Sequence, residues 1–118
     1  MKKLFYLLAL LLFLSCSNDS ESDLIEINNP PEGLTYNGSI KAIIDSNCLA
    51  CHSDPTTNGA PFPLVTYEQV LVRAENGQLL RSISRQTGEA VAMPPSGRLP
   101  QNTINTIEQW INDGAPEN

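Results

Sequence analysis

The run Cys48-Leu49-Ala50-Cys51-His52 constrains this chain more than any other feature of its sequence. The spacing C-x-x-C-H is the signature of covalent attachment of a c-type haem. Each thiol can form a thioether bond to the porphyrin, and the imidazole that follows can coordinate the iron. We therefore predict that Cys48 and Cys51 bind one haem c covalently and that His52 is the proximal iron ligand.

Two other kinds of site also contain a C-x-x-C pair, namely zinc sites and redox dithiols. A structural zinc site usually has four nitrogen or sulfur ligands, yet the chain has only one further cysteine, Cys16, and no second histidine. A thioredoxin-like dithiol is expected beside a βαβ pattern, which this sequence does not show. Both remain as weaker alternatives to haem attachment.

Residues 1–15 have the pattern of an export signal. Lys2 and Lys3 precede an unbroken apolar run over residues 4–14, which is too short to span a bilayer as a retained helix. The following Leu14-Ser15-Cys16 resembles a bacterial lipobox, in which the chain is cleaved just before the cysteine and that cysteine is acylated. Phe13 stands where such boxes usually carry leucine, so an ordinary secretory signal that leaves Cys16 as a free thiol remains the alternative.

Residues 16–33 are predicted to form a flexible acidic tether that begins at the lipidated Cys16. The stretch is polar and acidic, and two consecutive prolines interrupt it near its end. Acidic residues directly behind a lipidated cysteine resemble the surface-export signals of some bacterial lipoproteins. We therefore predict an outer membrane lipoprotein that faces the periplasm or is exposed at the cell surface.

Charge narrows the choice of partners. Once residues 1–15 are removed, five basic residues remain against thirteen acidic ones, which is a net charge of −8. Nucleic-acid binding needs clustered Lys and Arg, so that function class is excluded. The expected partners are a redox donor protein, a redox acceptor protein and the membrane, with no small-molecule substrate. Arg85 and Arg98 either pair with haem propionates or remain solvated surface charges.

The folded domain is predicted to span residues 34–118, with an all-α architecture of three to four helices around the haem. The first helix has isoleucines at i, i+3 and i+4 spacing, begins at Asn37 or Ser39 as N-cap, and runs towards Cys48. The second begins with a Thr66–Gln69 capping box and ends before Gly77. A short helical piece follows through Leu79, Leu80 and Ile83.

The last helix is predicted from an apolar stripe formed by Ile104, Ile107 and Ile111, with Trp110 beside it. Pro100 suits its first turn, and Gly114 suits its end.

The distal iron ligand is predicted by elimination. Met1 leaves with the signal and the mature chain has no histidine besides His52, so Met93 is the candidate that remains. The prolines at 94 and 95 stiffen the backbone after it. A thioether opposite an imidazole raises the reduction potential relative to two imidazoles. The proline-rich loop before Thr66 should wrap the histidine side, with a carbonyl near Pro61 accepting the other imidazole N–H.

Three sequence blocks together resemble the small monohaem class I cytochrome c domain: C48-L-A-C-H52, A92-M-P-P95 and I104-N-T-I-E-Q-W-I-N-D-G-A115. The ending also resembles that of bacterial cytochrome c lipoproteins. The resemblance implies an electron carrier whose first and last helices cross near the haem, with Ile43 or Ile44 against Trp110. A haem-based gas sensor, and a haem subunit of a larger membrane dehydrogenase or oxidase complex, remain alternative functions.

Overall fold

The computed structural model describes residues 33–118. The predictions for the signal at residues 1–15, for lipidation of Cys16 and for the tether up to residue 32 lie outside the described residues. Of the helices that it does describe, none has the length and apolar character needed to cross a membrane.

Residues 33–118 contain helices and loops but no strand. A π-helical turn at Tyr36–Ile40 continues directly into helix α1 (Lys41–Asn47). Three further α-helices follow, which are α2 (Tyr67–Glu75), α3 (Gln78–Ile83) and α4 (Gln101–Asn112). The predicted all-α class and the predicted helix number are therefore confirmed for the described residues.

The first helical segment begins earlier than predicted, so the assignment of Asn37 or Ser39 as its N-cap was wrong. Thr35 is the N-cap, and its hydroxyl accepts a hydrogen bond from the Gly38 N–H at 3.0 Å. The helical path starts at Tyr36, whose side chain is almost fully buried, at 2% exposure. Its backbone N–H also donates to the Pro116 carbonyl at 2.8 Å, a partner far along the chain that local patterning could not reveal.

The predicted capping box of α2 is confirmed. The Thr66 hydroxyl accepts from the Gln69 N–H at 3.4 Å, and the Gln69 side chain accepts from the Thr66 N–H at 3.1 Å. Gly77 separates α2 from α3 with φ +73, a left-handed conformation that a side chain would disfavour. The glycine therefore ends one helix and starts the next.

Replacing Thr66 with alanine is expected to lower the free energy of unfolding by about 1 kcal/mol, because the Gln69 N–H loses its acceptor. Chemical denaturation of the purified protein measures this change. Thr66→Ser is the matched control and should cost much less, since it keeps the hydroxyl. Equal losses in the two variants would contradict a capping role.

The ends of α4 are close to their predicted positions. Pro100 precedes the helix as its N-cap with an extended ψ of 145, so its placement in the first turn was off by one residue. Proline lacks the N–H that an interior position would use, and at the N-cap its carbonyl accepts from the Ile104 N–H at 3.1 Å. The helix ends at Asn112, and Gly114 adopts φ +92 beyond it, as predicted.

An aromatic cluster forms the centre of the core. Trp110 is fully buried, and its ring centroid lies 6.2 Å from that of Tyr36, which lies 5.4 Å from that of Tyr67. Ile44 is also fully buried within the same core, and Ile43 packs against it. The aromatic neighbour of Trp110 in the first helical segment is thus Tyr36, which the resemblance did not indicate.

Residues 115–117 are held to this cluster through their backbone carbonyls. The Trp110 indole N–H donates to the Pro116 carbonyl at 2.9 Å, and the Tyr67 hydroxyl donates to the Ala115 carbonyl at 3.0 Å. The Asn37 N–H donates to the Glu117 carbonyl at 3.0 Å. This segment therefore ties α2, α4 and the π-helical turn together.

Candidate functional site

A cavity of about 480 Å³ lies where the end of α1, the following loop, helices α2 and α3, and the segment before α4 meet. Its volume lies within the range of about 300–1,000 Å³ typical of ligand and cofactor sites. Among its lining residues are all four predicted haem-binding residues: Cys48, Cys51, His52 and Met93. The fold thus brings Met93 to the same cavity as the C-x-x-C-H run.

The two cysteines reach the cavity because the chain keeps turning after α1. Cys48 is the C-cap of α1, and its N–H donates to the Ile44 carbonyl at 2.8 Å. The Cys48 carbonyl in turn accepts from the N–H groups of Cys51 and His52 at 3.1 and 2.9 Å. Cys48 and Cys51 do not form a disulfide with each other. Burial raises the pKa of the Cys48 thiol to about 11.

The imidazole of His52 is buried, at 7% exposure, and has one hydrogen-bond partner among the described residues. Its Nδ1 lies 2.8 Å from the Phe62 carbonyl oxygen. A carbonyl only accepts, so Nδ1 carries the proton and donates, which leaves Nε2 as the basic nitrogen that could bind a metal. The predicted acceptor near Pro61 is therefore the carbonyl of the next residue.

A second hydrogen bond fixes the same loop to His52. The Leu64 N–H donates to the His52 carbonyl at 2.8 Å, and the Phe62 ring lies with its centroid 5.1 Å from that of the imidazole. The stretch Pro61-Phe62-Pro63 thus wraps the histidine side of the cavity. Phe62 was missed by sequence reasoning, although an aromatic residue between two prolines close to His52 was an available signal.

Arg73 is a further lining residue that sequence reasoning missed. Its guanidinium carbon lies 3.8 Å from the centroid of the Phe62 ring, and its Nη1 donates to the Gln78 side-chain oxygen at 3.0 Å. Gln78 also lines the cavity. Nothing in the sequence distinguishes Arg73 from the other arginines, because its position depends on how α2 packs on the loop.

The two arginines that were singled out from the sequence do not line the cavity. The Arg98 side chain donates to the Ser84 carbonyl at 3.4 Å and to the Gln101 side-chain oxygen at 2.7 Å. The Arg85 Nε is buried with no hydrogen-bond partner among residues 33–118. Arg73 lines the cavity, whereas Arg85 and Arg98, which were considered either as propionate partners or as solvated surface charges, do not.

Met93 is positioned by backbone contacts with α3. Its N–H donates to the Ser82 carbonyl at 3.1 Å, and Pro94 and Pro95 continue the cavity wall after it. Val91, two residues earlier, also lines the cavity and has φ +57, a strained conformation for a β-branched side chain. Such strain is often concentrated at functional sites. The local backbone before Met93 is therefore determined by the surrounding structure rather than by its own preference.

The ligand set of this site differs from that of a zinc centre. Across residues 33–118, no three His, Cys, Asp or Glu side chains come together in a group that could hold a metal ion. A closed zinc site usually has four protein ligands. The site instead combines two thiols, one imidazole with a basic Nε2 and a thioether in an otherwise largely apolar cavity. This set is compatible with covalently attached haem.

The chain was compared with protein-family models, curated proteins and solved structures, and none of the three comparisons gave a match.

Proposed function

We propose that this protein is a membrane-tethered monohaem c-type cytochrome that transfers single electrons between extracytoplasmic redox partners. The observation that carries the proposal is the meeting of Cys48, Cys51, His52 and Met93 at one cavity. The hydrogen bond from His52 Nδ1 to the Phe62 carbonyl adds support, because it leaves Nε2 available for iron.

Each of these side chains would have a defined part in holding the haem. Cys48 and Cys51 would bind it through two thioether bonds, and a covalent bond retains a cofactor that a small domain could not enclose completely. His52 would coordinate the iron through Nε2, with the ring orientation set by the Phe62 carbonyl. Met93 would provide a thioether sulfur as the second axial ligand.

Haem supplies the redox chemistry when bound, since its iron exchanges one electron between the ferric and ferrous states. The chain controls how accessible the iron is and what charge surrounds it. Two protein ligands would leave no coordination position for a substrate, which favours an electron carrier over an enzyme. The apolar lining, with Phe62, Leu79 and Ile83 among it, would limit the entry of water.

The expected place of the protein follows from the residues before the domain. A lipid on Cys16 would hold the haem domain at the outer membrane, on the periplasmic or the cell-surface side. The acidic tether would let the domain reach its redox donor and acceptor proteins without leaving the membrane.

The proposal is tested by the mass and spectrum of the full chain, produced in an exporting bacterial host that has a working cytochrome c maturation apparatus. We expect one covalently bound haem per chain and the absorption spectrum of a low-spin c-type cytochrome. Mature protein with the mass of the acylated apoprotein, and without haem absorption, would overturn the proposal.

Replacing Met93 with leucine is expected to remove the sulfur-to-iron charge-transfer band while the covalent haem is retained. Leucine keeps the volume of methionine but has no ligand atom, so the ferrous protein should then bind carbon monoxide. Absorption spectroscopy with and without carbon monoxide measures both changes. Met93→His is the control, because it restores a second ligand and should lower the midpoint reduction potential. An unchanged charge-transfer band in Met93→Leu would exclude Met93 as a ligand.

A further inference from the structure

Asparagine is followed by glycine at three places in the sequence, which are Asn37-Gly38, Asn58-Gly59 and Asn76-Gly77. This pair is especially prone to spontaneous deamidation, in which the glycine nitrogen attacks the side-chain amide of the asparagine before it. Glycine has no side chain to hinder that attack. Since the three pairs have the same chemistry, a difference in their reactivity would have to come from the fold.

The nitrogen of Gly59 is open to reaction. Its N–H has no hydrogen-bond acceptor among residues 33–118. Gly59 is exposed, and no heavy atom other than those of its chain neighbours lies within 4 Å of the position that a Cβ would take. Water can therefore reach this nitrogen, and no bond within that part of the chain has to break before it reacts.

The side-chain amide of Asn58 is weakly held. Asn58 and Gly59 are the central residues of a turn with φ +51 and +76, and the Ala60 N–H closes it by donating to the Thr57 carbonyl at 3.0 Å. Positive φ at both central positions is typical of a type I′ turn. The Asn58 Nδ2 donates to the Cys51 sulfur at 3.5 Å, and sulfur is a weak acceptor. Little therefore opposes movement of the amide towards the Gly59 nitrogen.

Both reacting groups of Asn37-Gly38 are hydrogen-bonded. The Gly38 N–H donates to the Thr35 hydroxyl at 3.0 Å within the π-helical turn. The Asn37 side-chain amide donates to the Asn118 side-chain oxygen at 2.7 Å. The attack at this pair would have to break both bonds and open the helical path, so the fold should protect Asn37.

The pair Asn76-Gly77 is held in a similar way between α2 and α3. The Gly77 N–H donates to the Ala74 carbonyl at 3.0 Å. The Asn76 side-chain oxygen accepts from the Gln78 N–H at 2.9 Å, which fixes the amide at the start of α3. Among the three pairs, only Asn58-Gly59 thus combines a glycine N–H without an acceptor in the described residues with a weakly held amide.

We propose that Asn58 is a site of spontaneous deamidation and that it reacts faster than Asn37 and Asn76 in the folded protein. The Gly59 nitrogen bonds to Cγ of Asn58, the Cγ–Nδ2 bond breaks, and the amide nitrogen leaves as ammonia with the proton of the Gly59 N–H. Water then opens the succinimide ring. Addition at Cγ breaks the new bond and gives aspartate, whereas addition at the backbone carbonyl of residue 58 gives isoaspartate.

The modification would change the charge at the edge of the cavity. Asn58 lines the cavity, and no acidic side chain among the described residues does so. The product is a carboxylate, which is ionised at neutral pH and cannot donate a hydrogen bond to the Cys51 sulfur. Under the proposed function this negative charge would lie near the haem and favour the ferric state. That consequence rests on the proposed function, whereas the deamidation itself does not.

The reaction is tested by incubating the purified full chain at mildly alkaline pH and measuring each pair by peptide mass spectrometry. We expect conversion at Asn58 to be at least about tenfold faster than at Asn37 or Asn76, because each hydrogen bond that must break there adds about 1 kcal/mol to the barrier. The rate should rise with pH, since the attacking nitrogen must lose its proton. The same incubation in denaturant is the control, and there the three rates should be similar.

Two variants at position 58 test the effect of the charge. Asn58→Gln should stop the reaction, because its longer side chain would have to close a larger ring, and should leave the reduction potential of the holoprotein unchanged. Asn58→Asp carries the charge of the product, so the ferrous-to-ferric ratio at a fixed ambient potential should fall by up to about threefold, as expected for a partly screened charge. Asn102→Asp is the matched control, since it adds the same charge at an exposed position on α4 that does not line the cavity.

The possible failures can be told apart. Conversion at Asn58 that is no faster than at Asn37 and Asn76 in the folded protein would overturn the proposal. The proposal is also wrong if Asn58 leads by the same factor in denaturant, because the fold would then not be the cause. If Asn58→Asp and Asn102→Asp have equal potentials, the site stands and its effect on the haem is wrong. An unmodified protein without covalent haem would overturn the proposed function and leave the measured deamidation rates valid.

Discussion

Replacing Cys48 and Cys51 together with alanine is expected to abolish covalent haem attachment completely. No other cysteine is present among residues 33–118, so the domain would have no thiol left to form a thioether bond. Intact-protein mass and haem-dependent staining of the denatured chain measure the loss. Under the proposed function, the variant should also accumulate to a much lower level, because a domain of this size would depend on the haem to complete its core.

Ser46→Ala is the matched control, since Ser46 is exposed on α1 just before the motif. It should mature with one covalent haem per chain. The single variants Cys48→Ala and Cys51→Ala should retain at most one thioether bond and give lower yields of holoprotein than the control. Covalent haem in the double variant would show that attachment does not use these thiols, and the proposed function would have to be abandoned.

Replacing Trp110 with alanine is expected to lower the free energy of unfolding by about 3–5 kcal/mol, which is a large part of the 5–15 kcal/mol typical of a folded protein. The indole is fully buried, contacts Tyr36 and donates a hydrogen bond to the Pro116 carbonyl at 2.9 Å. Its removal would leave a cavity and an unpaired carbonyl. Denaturant unfolding of the holoprotein, followed by circular dichroism, measures the loss.

Two variants at and beside this position refine that test. Trp110→Phe keeps a ring in the core but lacks the N–H donor, so it should cost clearly less than the alanine variant. Gln109→Ala changes an exposed neighbour on α4 and should stay within about 0.5 kcal/mol of the unmodified protein. A Trp110→Ala protein as stable as Gln109→Ala would mean that the core does not depend on the indole.

The helices were predictable where the signals are local. Periodic isoleucines define α4, and the Thr66–Gln69 pair defines the start of α2, because each signal depends on residues within one or two turns of each other. The π-helical turn was not predictable, since the position of Tyr36 depends on the buried Trp110 ring and on the Pro116 carbonyl. Contacts between residues so distant in sequence leave no periodic pattern.

The residues of the candidate site also differ in whether the sequence alone could predict them. The cysteines and His52 form a short motif, and Met93 could be selected because so few other ligands exist in the chain. Arg73 could not be selected, because its approach to Phe62 depends on how a helix packs against an irregular loop. Choosing among chemically equivalent arginines needs the three-dimensional fold, whereas choosing Met93 needs only the predicted removal of Met1 with the signal.

The hydrogen bonds between residues 115–117 and the start of the domain determine when the aromatic cluster of the core can form during synthesis or export. Asn37 and Asn118 are 81 positions apart in sequence, yet a hydrogen bond joins their side chains. Backbone hydrogen bonds also join Tyr36 to Pro116 and Asn37 to Glu117. A polypeptide that emerges from a ribosome or passes through a translocation pore delivers its amino-terminal part first. The aromatic cluster therefore stays open until residues 115–117 arrive. Under the proposed function, this would leave a time window in which the thiols after α1 are accessible to an enzyme that attaches haem to them.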